Sequence, residues 1–315
     1  MTSRPPSTPG TATATADART SLRAILSDVA GFAGSQYVLR FATMVKGFVV
    51  AHVLGPAGNG LWQHYSLIFD YGLHGQLGIM EGYNKRIGHL LGRKDDTNLD
   101  AARATGLTGV LLGAAILWGA IAVSVAARWD RLDPTDRWAL PTLGLLVLLE
   151  QLTNVYKALL RAYGQIPLIT GVQLRFALSN LVLSLALLPG LEMLGLMAAW
   201  LVTRTGTTIW LVQRSGQPIR LALSWPALRA LFATGFPLWM YNLTKLALRN
   251  VDRVLVDSVL AKADLGIYGL GVTLSSLVRY SADAVGFVIY PIFLRLYGET
   301  RDPARLRAHL ERPTA

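Results

Sequence analysis

Glu150, Asn154, Lys157 and Arg161 follow one another at intervals of four, three and four residues, which places them on one stripe of a helix. Gln63, Asp70, His74 and Glu81 make a second stripe, Gln36, Arg40 and Thr43 a third, and Lys245, Arg249 and Asp252 a fourth. Arg279 and Asp283 stand four residues apart. All lie in long apolar stretches, as do Lys46, Arg175, Arg204 and Arg253. The chemistry open to such a set is electrostatic. Guanidinium forks and ammonium groups hold phosphate oxygens, while a carboxylate among them can gate the site or couple an ion. The competing role is structural, as intrahelical ion pairs and as polar contacts between helices. Arg253–Asp257 and Arg279–Asp283 are read in that structural way. Carboxylates are too few to pair Arg40, Lys46, Arg175, Lys245 and Arg249, which are assigned to a water-filled cationic cavity. Asp70, Glu150, Asp252 and Asp283 are assigned to gating or ion coupling. His64 and His74 read as polar packing residues, not proton relays.

Bond-making chemistry has no comparable signal. The chain contains no G-x-x-x-x-G-K-[ST], no H-E-x-x-H and no G-x-S-x-G. Gly55-Pro56-Ala57-Gly58-Asn59-Gly60 is glycine-rich but carries no lysine. With 0 cysteines, disulfides, thiolate catalysis and zinc–sulfur sites are excluded. Asp130, Asp133 and Asp136 recur every third residue, yet Arg131 and Arg137 interleave with them, as in a solvated loop. No catalytic residue, metal or cofactor is expected.

The elements that must carry these charges are membrane spans. Of 315 residues, 52% are hydrophobic and 16% charged, and the mean hydropathy is +0.39. Soluble domains carry about 25% charged residues. A net charge of +11 in a soluble protein would suggest nucleic acid. In a chain this apolar it points instead to basic loops on one side of a bilayer, with no nucleic-acid partner. A bilayer core needs roughly 20 apolar residues as helix. Eight stretches qualify, at about 29–53, 60–81, 104–127, 138–160, 166–188, 192–212, 230–259 and 265–296. The expected fold is an all-α integral membrane protein. It comprises one six-helix bundle (29–213), a linker (214–229) and the first two helices of a second bundle (230–297). A disordered tail (1–28) precedes these and a charged tail (298–315) follows. With the N-terminus placed in the cytoplasm, the inside segments hold 16 basic residues and the outside loops only Arg128, Arg131, Arg137 and Lys262. Both termini are therefore expected inside.

Sliding the chain on itself by 206 residues brings His52–Trp62 onto Ser258–Tyr268. Val53, Leu54, Ala57 and Gly60 meet identical residues, and Leu61 and Trp62 meet Ile267 and Tyr268. In each copy a helix ends, a short turn follows and a glycine-aromatic pair opens the next helix. Internal repeats of this kind are common in secondary transporters. A second full repeat would end near residue 420, a figure set by the offset, whereas the last residue is Ala315. A truncated or split version of a longer protein is therefore expected.

Val53-Leu54-Gly55-Pro56, then Gly60-Leu61-Trp62, Gly72-Leu73 and Gly78-Ile79, resemble the opening of the polysaccharide flippases. These are the O-antigen and exopolysaccharide exporters of the multidrug/oligosaccharidyl-lipid/polysaccharide superfamily. Asn84-Lys85-Arg86-Ile87 with Leu91-Gly92-Arg93-Lys94-Asp95 is similar to their loop after the second helix. Gly235-Phe236-Pro237, Asn250-Val251-Asp252-Arg253, Leu265-Gly266-Ile267-Tyr268 and Pro291 resemble the opening of their second repeat.

The resemblance implies two pseudo-symmetric bundles around a central cavity. It also implies alternating access, and passage of an undecaprenyl-pyrophosphate-linked oligosaccharide across a bacterial cytoplasmic (inner) membrane. Implied partners are the lipid bilayer, the lipid-linked oligosaccharide, and the polysaccharide polymerase and chain-length proteins. Arg40, Lys46, Arg175, Lys245 and Arg249 would then contact the pyrophosphate. Three alternatives stay open. A multidrug or cation antiporter would need acidic cavity residues. A membrane glycosyltransferase would rest on the Asp130 loop. A non-transporting remnant would follow from the short second repeat.

Overall fold

The computed structural model describes residues 11–93, 95–218 and 220–275, and among them there is helix and no strand. The helices are α1 (Thr11–Gly72), α2 (Ile79–Arg93), α3 (Asp96–Ala127), α4 (Pro134–Ala162), α5 (Ile166–Ser215) and α6 (Trp225–Val259). A further helix, α7, covers 262–275. Four of the helical stretches are long and apolar enough to cross a membrane: Tyr37–Gly72, Thr97–Ala127, Pro134–Ala162 and Ile166–Ser215. The chain is an all-α, multi-pass membrane protein.

Two of these helices are hairpins. Lys46 and Trp62 would lie about 24 Å apart on a straight helix at 1.5 Å per residue. The Lys46 ammonium is instead 4.7 Å from the centre of the Trp62 ring. The chain turns back at Gly55, whose φ of 67° and ψ of −177° suit glycine. Likewise Asn180 Nδ2 donates to Thr203 Oγ1 at 3.0 Å although 23 residues separate them. That reversal follows Pro189 and falls at Glu192, with φ 46° and ψ −124°. The spans expected at 29–53, 60–81, 166–188 and 192–212 are thus arms of two hairpins. Those expected at 104–127, 138–160 and 230–259 lie within α3, α4 and α6. Of the eighth, only the part to residue 275 is described. Arg279, Asp283, Pro291 and the 298–315 tail lie outside the described residues, as do residues 1–10 and the Gln36 side chain.

Two expectations change. The disordered tail was expected to reach residue 28, yet α1 is helical from Thr11. Its first turns are alanine-rich and extend an existing helix, so they need no costly nucleus of their own. The stripe Gln63–Asp70–His74–Glu81 assumed one continuous helix. The helix stops at Gly72 and restarts at Ile79, with Leu77 at φ 51° and Gly78 at φ 93° between them.

A break at membrane depth leaves backbone groups without helical partners, and these need substitutes. Gln151 Nε2 of α4 donates to the Leu73 carbonyl at 2.6 Å, and Trp239 Nε1 of α6 donates to the His74 carbonyl at 2.9 Å. The buried Gln76 caps the restart. Its Oε1 accepts from the Gly78 and Met80 N–H groups at 2.7 and 3.2 Å, and its Nε2 donates to Glu81 Oε2 at 3.1 Å. Gln76→Leu removes all three bonds and should destabilise the protein by about 1–2 kcal/mol, the scale of a lost helix cap. Thermal unfolding in detergent would show this as a lower midpoint. Between α2 and α3, Asp95 Oδ1 accepts the Asn98 N–H at 3.3 Å, and the bonds from Asn98 hold this exposed carboxyl below the usual carboxylate range.

The core of the first six arms forms two main layers. Val50, Tyr65, Phe69, Leu143, Leu146, Leu188, Leu196 and Met197 fill the half near the turns at Gly55 and Glu192. Tyr83, Ile87, Leu99, Val110, Val155 and Leu159 fill the half near the linker at 216–224, where Leu231 of α6 joins them.

Helix α6 runs antiparallel along the whole of the broken second span. From one end to the other the facing pairs are Gly82 with Leu231, Gly78 with Gly235, His74 with Trp239, Gln63 with Arg253 and His64 with Asp257. At the turn end the backbones touch. A Cβ on Gly60 would overlap the Lys262 carbonyl, and a Cβ on Gly266 would overlap the Pro56 carbonyl. Both sets of equivalents, Pro56 with Lys262 and Gly60 with Gly266, differ by the 206-residue repeat offset. Such reciprocal contact is what a local two-fold axis produces.

Candidate functional site

The charged side chains fall into four groups. The deepest is a triad between α4 and the second arm of α5. Arg204 Nη2 is 2.7 Å from Glu150 Oε2, and Lys157 Nζ is 3.5 Å from Glu150 Oε1. Lys157 also points at Asn154 Oδ1 at 3.5 Å, so three of the four residues of the first stripe act together. The Phe176 ring lies 3.6 Å from Arg204 Cζ. Arg204 is only 7% exposed, and its Nε finds no partner among the described residues. One carboxylate serves two cations here, so the cluster keeps a net positive charge. Glu150, expected to gate or couple an ion, is held in an ion pair in this state.

The second group surrounds Lys46. Its ammonium donates to Asn180 Oδ1 at 2.9 Å and faces Trp62. Trp62 in turn packs on Trp200 at 5.5 Å between ring centres, and Phe69 on Trp200 at 4.5 Å. Lys46 is thus held by a neutral amide and an aromatic face, with no carboxylate within salt-bridge distance among the described residues. Arg175 is treated similarly: it stacks 4.0 Å over Trp210 and donates to the Gly171 carbonyl at 3.3 Å. Arg40 lies half-buried on α1.

The third group is the open side of α6. Asn242, Lys245, Arg249 and Asp252 are all exposed and fall on one helical face. Lys245 and Arg249 have no carboxylate within salt-bridge distance among the described residues. Asp252 accepts from the Tyr268 hydroxyl of α7 and from the Arg253 N–H.

The fourth group joins α6 and α7 to the second span. Arg253 donates to Gln63 Oε1 at 2.7 Å. Asp257 takes His64 Nδ1 at 2.6 Å and Lys262 Nζ at 2.5 Å. The expected Arg253–Asp257 ion pair is therefore replaced. Both residues turn to the second span, to Gln63 and His64, because α6 packs on that span along the face carrying them. His64 is a hydrogen-bonding residue, as expected. Arg253, Arg249 and His74 all act electrostatically on Asp70, which sits half-buried on the same interface.

The five cations assigned to one cavity are thus distributed. No hydrogen bond or ion pair among the described residues joins Lys46 or Arg175 to α6. Lys46 and Arg175 belong to the first bundle, and Lys245 and Arg249 to the α6 face. Sequence reading missed Gln76, Gln151 and Asn180 as polar anchors. The glycines flanking Gln76 at Gly75 and Gly78 were the available signal of a helix break.

The model of a family described as polysaccharide biosynthesis protein matches residues 91–314. No protein of curated function matches the chain. Among solved structures, the chain is similar to the inward-facing conformation of a multidrug resistance MATE family transporter of the MOP superfamily. The TM-score is 0.65 at 14% identity, over 83% of this chain and 63% of that one. An outward-facing conformation of a transporter so described gives 0.54 at 15% identity, over 86% and 69%. A MOP superfamily transporter from Pyrococcus furiosus, described as having a binding pocket of reverse polarity, gives 0.57 at 15% identity, over 86% and 69%. At such identities the likeness is one of fold, and the chain spans 63% of the length of the first of these structures. With the family match running over more than two thirds of its residues and the helical fold shared with MOP transporters, the chain belongs to the polysaccharide biosynthesis protein family.

Proposed function

We propose that the protein is a secondary transporter that flips an undecaprenyl-pyrophosphate-linked oligosaccharide from the inner to the outer leaflet of a bacterial cytoplasmic membrane. Both termini would lie in the cytoplasm. The observation that carries this reading is the α6 face. Lys245 and Arg249 are exposed midway along α6, with no carboxylate within salt-bridge distance among the described residues. A cation left in lipid at that depth costs about 3 kcal/mol on insertion scales, so it needs water or an anion. A pyrophosphate supplies the anion, and two cations one helical turn apart suit its paired phosphates. Lys46, Arg175 and Arg40 of the first bundle would add positive potential. Asp70, Glu150, Asp252 and Asp283 remain the proposed gating or coupling carboxylates. A cation antiporter would require the opposite sign.

Complementation tests the reading. A strain lacking its own polysaccharide flippase should regain surface polysaccharide when it expresses this chain, either alone or joined after residue 297 to the remaining helices of a full-length relative. Lys245→Ala with Arg249→Ala should cut the rescue by about tenfold or more, the equivalent of one lost charge-assisted contact. Rescue untouched by the double substitution would remove the α6 face from the substrate path. Failure of both forms in several hosts would sink the flippase reading.

A further inference from the structure

A cavity of about 270 Å³ opens at the linker end of the first bundle, and Lys46, Arg175, Lys245 and Arg249 are not among its lining residues. Leu107, Val155 and Leu159 line its apolar part, and Tyr83 and Tyr156 its walls. Its polar rim comes from two separate elements: Arg103 and Asp100 of α3, and Gln217 and Arg220 of the linker that connects α5 to α6.

The rim is under-neutralised. Asp100 is the one carboxylate among the lining residues, and it serves both guanidinium groups at long range. Arg103 Nη1 is 3.5 Å from Asp100 Oδ1, and Arg220 Nη1 is 3.9 Å from Asp100 Oδ2. Neither pair is bidentate. The Asp100 side chain is 62% exposed and the Arg220 side chain 71%, so both are free to rearrange. Arg103 also donates to the Gln217 side chain, and the Tyr156 hydroxyl is 3.4 Å from the Gln217 carbonyl. Two forks converging over an apolar, tyrosine-walled recess have the donor geometry for a tetrahedral oxyanion attached to a small apolar group. Basic recesses between membrane helices near a bilayer surface suit anionic head groups for the same reason.

The linker is already tied to α3 by two bonds. The Ala222 N–H donates to Thr108 Oγ1 and the Ser224 N–H to Thr105 Oγ1, both at 3.1 Å. An anion held by Arg103 and Arg220 together would add a third tie between the first bundle and the segment leading into α6.

We propose that this cavity is a second anion site, for a phosphate ester, that fastens the linker to α3. It stands apart from the transport reading and uses none of the residues placed in the substrate path. The phosphate could come from an anionic phospholipid of the surrounding leaflet or from a soluble phosphate compound, and the two sources are separable. The full chain is reconstituted in nanodiscs of phosphatidylcholine alone or with added phosphatidylglycerol. Retained lipid is read by native mass spectrometry. Inorganic phosphate, against chloride at equal ionic strength, is read by the thermal midpoint.

Phosphatidylglycerol kept by the wild type and lost in Arg103→Gln/Arg220→Gln would establish the lipid source. A midpoint raised by inorganic phosphate in phosphatidylcholine discs, and lost in the same variant, would establish the soluble source. Arg220→Gln alone changes only an exposed side chain, so it should fold normally and bind about fivefold more weakly, the loss of part of one ionic contact. Lys245→Ala should leave both signals intact, which keeps this outcome independent of the flippase test. Absence of both signals, or their survival in the double variant, would overturn the proposal.

Discussion

Glu150→Gln is expected to lower the stability of the folded protein by about 3–5 kcal/mol, the range for removing one partner of a buried ion pair. The substitution leaves Arg204 and Lys157 charged and facing a neutral amide inside the bundle. Arg204 has the least recourse, because its Nε already lacks a partner and its other face is closed by Phe176. Lys157→Met should cost less, since its contacts with Glu150 and Asn154 are both at 3.5 Å. The counterpart is a triple substitution, Glu150→Leu with Arg204→Met and Lys157→Met, which removes all three charges at once. It should recover most of the lost stability, since apolar replacement of a whole buried ionic cluster is often neutral or better. Thermal unfolding in detergent distinguishes these cases. An unshifted midpoint for Glu150→Gln would show that the triad does not hold α4 to α5. The triple variant also separates structure from coupling. If it folds and still rescues polysaccharide export, Glu150 is a structural residue; if it folds and does not, the coupling role stands.

Gly60→Val should prevent the turn end from closing. The added Cβ would occupy the position of the Lys262 carbonyl, and backbone cannot withdraw as a flexible side chain can. Asn59 Nδ2, which donates to the Gly266 carbonyl at 2.8 Å, would lose its partner as the turns separate. The chain has 0 cysteines, which gives a clean background for cross-linking. Cysteines placed at Ala57 and Ala263, one in each turn, should cross-link readily in the parent. Gly60→Val should reduce that yield by about tenfold, equivalent to a shift near 1.4 kcal/mol between closed and open forms. Equal yields would mean that the two turns meet only in passing. Gly266→Val should behave alike, because the contact is reciprocal.

The sequence made the spans legible because membrane insertion is decided over windows of about 20 residues, in which single polar side chains hardly count. The turns at Gly55 and Glu192 were legible too, since Gly55-Pro56 and Pro189-Gly190 interrupt apolar runs. The break at residues 73–78 was not. Gly75 and Gly78 were its one local signal, but glycine is ordinary in membrane helices, and the donors that support the break, Gln151 and Trp239, come from elsewhere in the chain. Among the charges, periodicity found faces but not partners. It placed Glu150, Asn154 and Lys157 together, yet gave no sign that Arg204 would complete the pair from another helix. It paired Arg253 with Asp257 along α6, whereas α6 presents both to the second span, where Gln63 and His64 take them. The repeat offset was the most informative long-range signal, because it brought Gly60 into register with Gly266, its contact in space.

The supports of the broken span also bear on how the protein is made. The Leu73 carbonyl waits for a side chain 78 residues further on, and the His74 carbonyl, which takes the Leu77 N–H at 3.3 Å, gains its second donor from one 165 residues further on. During synthesis the second span therefore leaves the ribosome well before either donor exists. Until α4 arrives, the Leu73 carbonyl lacks that donor in a setting where lipid cannot replace it, at a cost of several kcal/mol. The nascent segment must shelter in the translocation channel or beside water until α4 is inserted, and it reaches its final form only when α6 docks. Assembly is thus ordered by the chain itself, with Trp239 setting the last step.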